Sequence, residues 1–173
     1  MVFISAMTRV LESAITALGR AIAWLVPAMA LLTFIIVVMR YGFSTGAMAA
    51  QEAVLYMHSA VFMLGAAYTL AADEHVRVDI LYHRFSPRGR TWVNVIGHVI
   101  FTLPICALIC FSSLDYVTSS WSIRETSAET GGIPAVFLLK TLIPIMATLL
   151  AAQALIEIVR GVTQLCGVHD GRR

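Results

Sequence analysis

A few ionisable side chains in this sequence lie within or beside its long apolar runs, where they could do chemistry. Glu52 precedes one run, His58 and His98 lie inside two runs, and Lys140 interrupts another. A carboxylate in such a place could couple proton movement to transport, and two histidines on neighbouring helices could ligate one haem. The sequence therefore raises two chemical hypotheses: a small self-sufficient antiporter that uses Glu52, and a membrane redox or haem protein that uses His58 and His98.

The depth of these residues in the apolar runs disfavours both hypotheses. Glu52 stands at the edge of its run, where a carboxylate usually ends a span or pairs with a cation such as Arg40 or Lys140. His58 and His98 would lie about 9 Å apart along the membrane normal, at 1.5 Å per residue in a slab of roughly 30 Å. Since two axial ligands of one haem should be nearly level, we expect these histidines to pack or to form hydrogen bonds between helices.

Glu125 and Glu129 form another candidate pair, four residues apart on what would be one helix face. Paired carboxylates can act as acid and base, but no nucleophile or metal cluster accompanies these two. Cys106 and Cys110 lack the C-x-x-C spacing of a redox or metal pair and are typical of small apolar packing residues. The sequence thus predicts no catalytic residue, no metal and no cofactor, and an exposed acidic face that meets solvent or a partner.

The elements that must hold these residues are long apolar blocks. The chain of 173 residues is 59% hydrophobic and 13% charged, with a mean hydropathy of +0.83, which is typical of a membrane protein. Spanning about 30 Å of hydrocarbon takes roughly 20 residues of helix. Four blocks are long enough, and we predict an all-α membrane protein with four transmembrane helices at residues 21–39, 53–72, 91–114 and 133–156.

The two ends of the chain predict an interfacial helix and a polar tail. In residues 1–20, apolar side chains recur at helical spacing, which favours a cytoplasmic interfacial helix, and residues 157–173 form a cytoplasmic tail. Nine of the twelve Lys and Arg residues fall on the side of the two termini. Because positive charge marks the cytoplasmic side, both termini are predicted to be cytoplasmic. Membrane flanks explain the basic residues, which therefore do not indicate nucleic-acid binding.

The most charged turn, residues 73–90, connects the second and third spans. Its run HVRVD contains His75, Arg77 and Asp79, and apolar residues alternate with charged ones after it. This pattern is typical of a short interfacial helix. From physical chemistry alone, the run is either a solvated cap on the second span or an ordered corner with Arg77 and Asp79 in polar contacts.

The longest outer segment is residues 115–140. Trp121 suits the outer aromatic belt of a membrane protein. The run Gly-Gly-Ile-Pro at residues 131–134 breaks the chain and starts the fourth span. Lys140 can then extend towards water or pair with a carboxylate, and Pro144 should bend the helix one turn later.

Several of these stretches resemble the small membrane subunit, of DctQ type, of tripartite ATP-independent periplasmic (TRAP) transporters. The likeness covers roughly residues 20–160 and rests on GAAYTLAADEHVRVDILYHRFSPRGR, on Ser-Trp with a downstream Glu, and on Gly-Ile-Pro followed by Lys and Ile-Pro. The matched positions are His75 to Asp79, Ser120, Trp121, Glu125, Gly132 to Pro134, Lys140, Ile143 and Pro144. The family often has a tryptophan just before the acidic residue that starts the second span, where this chain has Gln51 before Glu52.

The resemblance implies a non-enzymatic subunit of the bacterial inner membrane that takes part in sodium-driven symport of a small organic acid. In the family, a large membrane subunit holds the substrate and sodium sites, and a periplasmic binding protein delivers the substrate. The small subunit packs on the fixed part of the large one. The expected partners are the large subunit, the binding protein and membrane lipids. The residues expected at structural or partner contacts are Glu52, His75, Arg77, Asp79, Trp121, Glu125, Glu129, Lys140 and Pro144.

Overall fold

In this computed structural model, which describes residues 2–74 and 85–167, all regular structure is helical. The helices are α1 (Val2–Ala23), α2 (Leu25–Gly42), α3 (Met48–Ala71), α4 (Pro87–Gly97), α5 (Leu103–Ser122) and α6 (Val136–Leu165), with a π-helical turn at His98–Thr102 between α4 and α5. The stretches that are long and apolar enough to cross a membrane are Thr8–Gly42, Met48–Ala71, Pro87–Ser122 and Val136–Leu165. The prediction of an all-α membrane protein with four transmembrane helices is confirmed.

Helix α1 is amphipathic and packs against α3. Its buried side chains Ile15 and Ile22 lie about two turns apart, and Gly19 lies between them against the ring of Tyr68. A Cβ on Gly19 would overlap Cγ of that ring and would come 2.7 Å from Cβ of Tyr68. The glycine therefore permits the close approach of the two helices.

Helix α2 lies at the edge of the bundle, where it packs on α3 and α1 and buries none of its own residues. Large apolar side chains cover it, and Leu31 and Phe34 are 62% and 64% exposed. Burial of such surface away from water is favourable by about 25 cal/mol per Å². In a bilayer, this face of α2 therefore contacts lipid or a second membrane protein.

Helix α6 lies at the centre of the bundle and contacts α3, α4 and α5. Small side chains allow these contacts, since Ala147 and Ala154 are buried and Gly161 lies against Val95 of α4. A Cβ on Gly161 would overlap Cγ2 of Val95 and come 3.3 Å from Cγ2 of Thr91. Close approach through small residues is a general mode of helix association in membranes.

The third span is irregular at His98–Thr102, where the chain forms a π-helical turn. Pro104 follows two residues after this turn, and proline both lacks the N–H that a regular helix would use there and crowds the carbonyl four residues earlier. The wider turn accommodates the proline ring. Nδ1 of His98 lies 3.2 Å from Oγ1 of Thr102, so this histidine has a hydrogen-bond partner within its own helix.

Helix α6 continues past residue 156, where the sequence places the inner membrane boundary, and ends at Leu165. On this extension, Arg160 pairs with Glu12 of α1, and its Nη1 lies 3.5 Å from Oε1 of Glu157. Gln153 is fully buried one turn before Glu157 and donates to its carboxylate over 3.0 Å. These polar contacts join α1 to the end of α6 and stabilise α6 beyond residue 156.

Candidate functional site

Glu52 of α3 holds the middle of the α5–α6 segment, which we define as residues 123–135. Its Oε1 accepts a hydrogen bond from Oγ of Ser127, and its Oε2 accepts from the backbone N–H of Ile133 at 2.6 Å. Oγ of Ser127 also accepts from the N–H of Glu129 at 3.0 Å. Hydrogen bonds to an ionised carboxylate are roughly twice as strong as neutral ones, so Glu52 binds the segment to α3 strongly. We refer to these two hydrogen bonds of Glu52 as the clasp.

The clasp leaves no room for a side chain at residue 132. A Cβ on Gly132 would overlap the Ser127 side chain and come 2.7 Å from Oε1 of Glu52. Gly131 beside it has a φ of +80°, a left-handed conformation that glycine adopts at little cost. The two glycines thus form the chain break that the sequence predicts, and they also let the carboxylate reach the segment.

A second contact joins Glu125, near the start of the segment, to Lys140 of α6. Nζ of Lys140 donates to Oε2 of Glu125 and lies 3.9 Å from the centre of the Tyr116 ring, so it makes an ion pair and a cation–π contact together. The carbonyl of Glu125 accepts from the N–H of Val136 at 3.1 Å, which ties the segment to the start of α6. The hydrogen bond from Lys140 holds the pKa of Glu125 below its usual value.

The third contact is made by Trp121 in the last turn of α5. Its Nε1 donates to Oγ1 of Thr141 at 2.8 Å, and its ring meets Phe137 edge-on with 4.7 Å between the ring centres. Thr141 in turn donates to the carbonyl of Phe137 at 2.7 Å. Trp121 therefore joins the end of α5 to the first turns of α6.

The expectation that Glu125 and Glu129 share one helix face is wrong. Helix α5 ends at Ser122, and Arg124 has a φ of +47°, which turns the chain away from the helix axis. Glu125 is consequently drawn inward onto Lys140, whereas the Glu129 side chain is exposed. Of the two carboxylates, Glu129 is the one that presents its charge to solvent or to a partner.

The other predicted residues lie elsewhere in the fold. Lys140, one of the cations considered as a partner of Glu52, is bound by Glu125 instead. Pro144 lies inside α6, where its carbonyl accepts from Oγ1 of Thr148 at 2.8 Å. Three more of the expected residues lie outside the described part of the chain: His75, Arg77 and Asp79.

Sequence reasoning missed Ser127, Thr141 and Tyr116 as partners of the predicted residues. A serine or a threonine beside a membrane span carries no signal of its own, because the packing of distant helices decides which group it meets. The useful signal was the pair of glycines before Ile133, since consecutive glycines often mark a close approach of the backbone to another group.

The carboxylates of this arrangement have partners within the chain. Within residues 2–74 and 85–167, no three His, Cys, Asp or Glu side chains come together in a way that could hold a metal ion. Glu52 and Glu125 both bind donors from the chain itself, and His58 is exposed on α3. These two carboxylates therefore join α3 and α6 to the α5–α6 segment.

Replacement of Lys140 by methionine should lower the melting temperature of the purified protein in detergent. The change leaves the Glu125 carboxylate without its cation and removes the contact with Tyr116. Because the pKa of Glu125 is lowered in the folded chain, the pair stabilises the fold above the ordinary carboxyl pKa of 4.5, and this stabilisation is lost as the pH falls through the lower folded value. The difference in melting temperature between wild type and Lys140→Met should therefore shrink below pH 4.5.

Arg124→Met is the matched control for this prediction, because Arg124 is an exposed cation next to Glu125 in the chain. Its melting temperature should stay close to that of the wild type at every pH. The stabilisation would not come from the ion pair if the difference in melting temperature between wild type and Lys140→Met were the same at neutral and acidic pH.

Comparison with known proteins identifies the family. A family model described as the DctQ component of tripartite ATP-independent periplasmic transporters matches residues 29–164. A Haemophilus influenzae protein named as a TRAP transporter small permease is 31% identical over 81 residues, which are 47% of this chain and 50% of that protein. The chain thus spans about half the length of the curated relative it matches, and no solved structure matches it. The resemblance is confirmed: the chain belongs to the DctQ family of TRAP transporter components and is a multi-pass protein of the inner membrane.

Proposed function

We propose that this chain is the small permease subunit of a TRAP transporter and serves as a fixed scaffold for a large membrane subunit. Family membership and the name of the Haemophilus influenzae relative support this role. The observation that carries it is that Glu52, Glu125 and Lys140 are all occupied by partners within the chain. A transport site needs polar groups at membrane depth that bind an ion or substrate and release it, whereas these groups hold the shape of the bundle.

The large subunit holds the sodium and substrate sites in this proposal, and this chain has no catalytic activity. The transported substrate is a small organic acid, delivered by a periplasmic binding protein and taken up by sodium-driven symport. The apolar face of α2 supports contact with a larger membrane protein, because α2 buries no residue within the chain and exposes Leu31 and Phe34.

Both termini lie in the cytoplasm in this proposal, which places the α5–α6 segment in the periplasm. The excess of Lys and Arg on the side of the termini supports this orientation. Glu129 on the α5–α6 segment then meets the binding protein, on a surface that the Glu52 and Glu125 contacts hold in place. A docking surface that is already ordered loses less conformational entropy when a partner binds. His75, Arg77 and Asp79 lie on the cytoplasmic side and support assembly rather than substrate binding.

Ion flux through liposomes tests the scaffold role against the antiporter hypothesis. The chain reconstituted alone should pass neither protons nor sodium under an imposed gradient, and Glu52→Gln should behave in the same way. Reconstitution together with the large subunit and the binding protein should give sodium-dependent uptake. Proton flux through the isolated chain that Glu52→Gln abolishes would contradict the proposal and establish the antiporter.

A further inference from the structure

A polar cleft lies at the far end of α6 from the α5–α6 segment, and the scaffold role does not use it. The α4–α6 cleft has a volume of about 250 Å³. Thr91 and Val95 line it from α4, and Glu157, Arg160 and Gln164 line it from α6. The described side chains that line it therefore include a cation and an anion, with a hydroxyl and an amide beside them.

The cleft lies at the depth of lipid headgroups. At 1.5 Å per residue, Thr91 is about 6 Å from the start of α4 at Pro87, and Val95 is about 12 Å from it. On α6, Gln164 is next to the last helical residue, Leu165, and Glu157 is about 12 Å from that end. The headgroup region of a bilayer is roughly 5–8 Å thick on each side of the hydrocarbon. The cleft thus opens in the headgroup region and reaches the edge of the hydrocarbon.

The charges in and beside the cleft favour a ligand that carries both signs. Arg160 pairs with Glu12 and Glu157, yet 40% of its side chain is exposed, and its planar guanidinium has further N–H donors that suit a phosphate oxygen. Arg160, Glu12 and Glu157 together carry one net negative charge, and the described carboxylate of Asp73 also interacts electrostatically with Glu157. A purely anionic ligand would be repelled by the carboxylates, whereas a ligand with a phosphate and an ammonium group can satisfy both kinds of charge.

We propose that the α4–α6 cleft binds the headgroup of a phospholipid that carries a primary ammonium, with its phosphate on Arg160 and its ammonium on Glu157. An ethanolamine headgroup has N–H donors for the carboxylate, whereas a choline headgroup has none and a glycerol headgroup has no positive charge. Oγ1 of Thr91 donates to the carbonyl of Pro87 at 3.2 Å and can accept from the same ammonium. This inference depends on the membrane location of the chain and not on its proposed role in transport.

Native mass spectrometry of the full-length chain tests the site. The protein is stripped of lipid in detergent and titrated with phosphatidylethanolamine, phosphatidylcholine or phosphatidylglycerol. We expect one tightly held phosphatidylethanolamine per chain, with an affinity about tenfold above that for the other two lipids, a difference of about 1.4 kcal/mol. Excess phosphoethanolamine or inorganic phosphate should not displace the lipid, because neither has acyl chains to bury.

Two variants locate the bound lipid. Arg160→Gln should weaken binding of phosphatidylethanolamine about tenfold through the loss of the phosphate contact. Gln164→Trp should weaken it as well, by filling the mouth of the cleft while the Arg160–Glu12 pair stays intact. Arg124→Gln, an exposed cation at the other end of the bundle, is the control and should bind as the wild type does. Equal affinity for all three lipids, unchanged binding in both cleft variants, or displacement by inorganic phosphate would overturn the proposal.

Discussion

Replacing Gly161 with alanine should destabilise the protein by about 1–3 kcal/mol, the usual range for overpacking, although alanine is the better helix former. A Cβ at this position would overlap Cγ2 of Val95. Val95 is only 8% exposed, and a β-branched side chain has few alternative rotamers, so it cannot move away easily. For a chain of this size, the loss corresponds to a fall of roughly 2–12 °C in melting temperature, measured in detergent.

Gly97→Ala is the matched control, because Gly97 is a helical glycine of α4, the helix that Gly161 contacts, and has nothing within 4 Å of an added Cβ. It should leave stability unchanged or raise it by about 0.5–1 kcal/mol. In the double variant Gly161→Ala with Val95→Ala, the two changes should couple by about 0.5–3 kcal/mol, since the smaller side chain makes room for the new methyl group. If Gly161→Ala were as stable as Gly97→Ala, the close contact of α4 with α6 would be wrong.

Replacing Glu52 with alanine should release the α5–α6 segment from α3. The change removes the carboxylate that accepts from the Ser127 hydroxyl and from the backbone N–H of Ile133. The N–H of Ile133 then loses its charged acceptor. Gly132→Ala should act in the same direction from the other side of the clasp, because its Cβ would come 2.7 Å from Oε1 of Glu52. Both variants should lower the melting temperature and expose the segment to proteases.

Limited digestion with trypsin measures this release, because Arg124 provides a cleavage site within the segment. Cleavage after Arg124 should be several-fold faster in Glu52→Ala and Gly132→Ala than in the wild type, since local opening governs the rate. Glu52→Gln keeps one acceptor oxygen without the charge. Its cleavage rate should therefore fall between those of Glu52→Ala and the wild type. Gly46→Ala, where an added Cβ meets nothing within 4 Å, should be cut at the wild-type rate. Unchanged cleavage in Glu52→Ala would show that the carboxylate does not hold the segment.

The membrane helices could be predicted from the sequence because the thickness of the hydrocarbon sets the length of an uncharged block. The exact bounds of the helices follow from contacts that hydropathy does not contain. Helix α6 reaches Leu165 because Arg160 finds Glu12 on a helix at the other end of the chain. The π-helical turn before Pro104 likewise depends on how the third span relieves crowding at that proline.

The candidate site could be predicted only in part, for similar reasons. Residue type and position identified Glu52, Glu125 and Lys140, since charged groups beside apolar blocks need partners. Their partners could not be predicted, because Ser127 lies 75 residues from Glu52 in the chain and the fold alone brings them together. The helix face expected for Glu125 and Glu129 was wrong because the four-residue spacing matters only while the helix continues, and α5 ends at Ser122.

Co-purification from the native host tests the central claim, that this chain is a scaffold subunit of a larger transporter. A tagged, full-length chain is extracted in mild detergent, and the proteins it brings down are identified by mass spectrometry. We expect a much larger polytopic membrane protein in an amount similar to that of the chain. Recovery of the chain alone, or only with further copies of itself, would contradict the account and favour a protein that works without a larger partner.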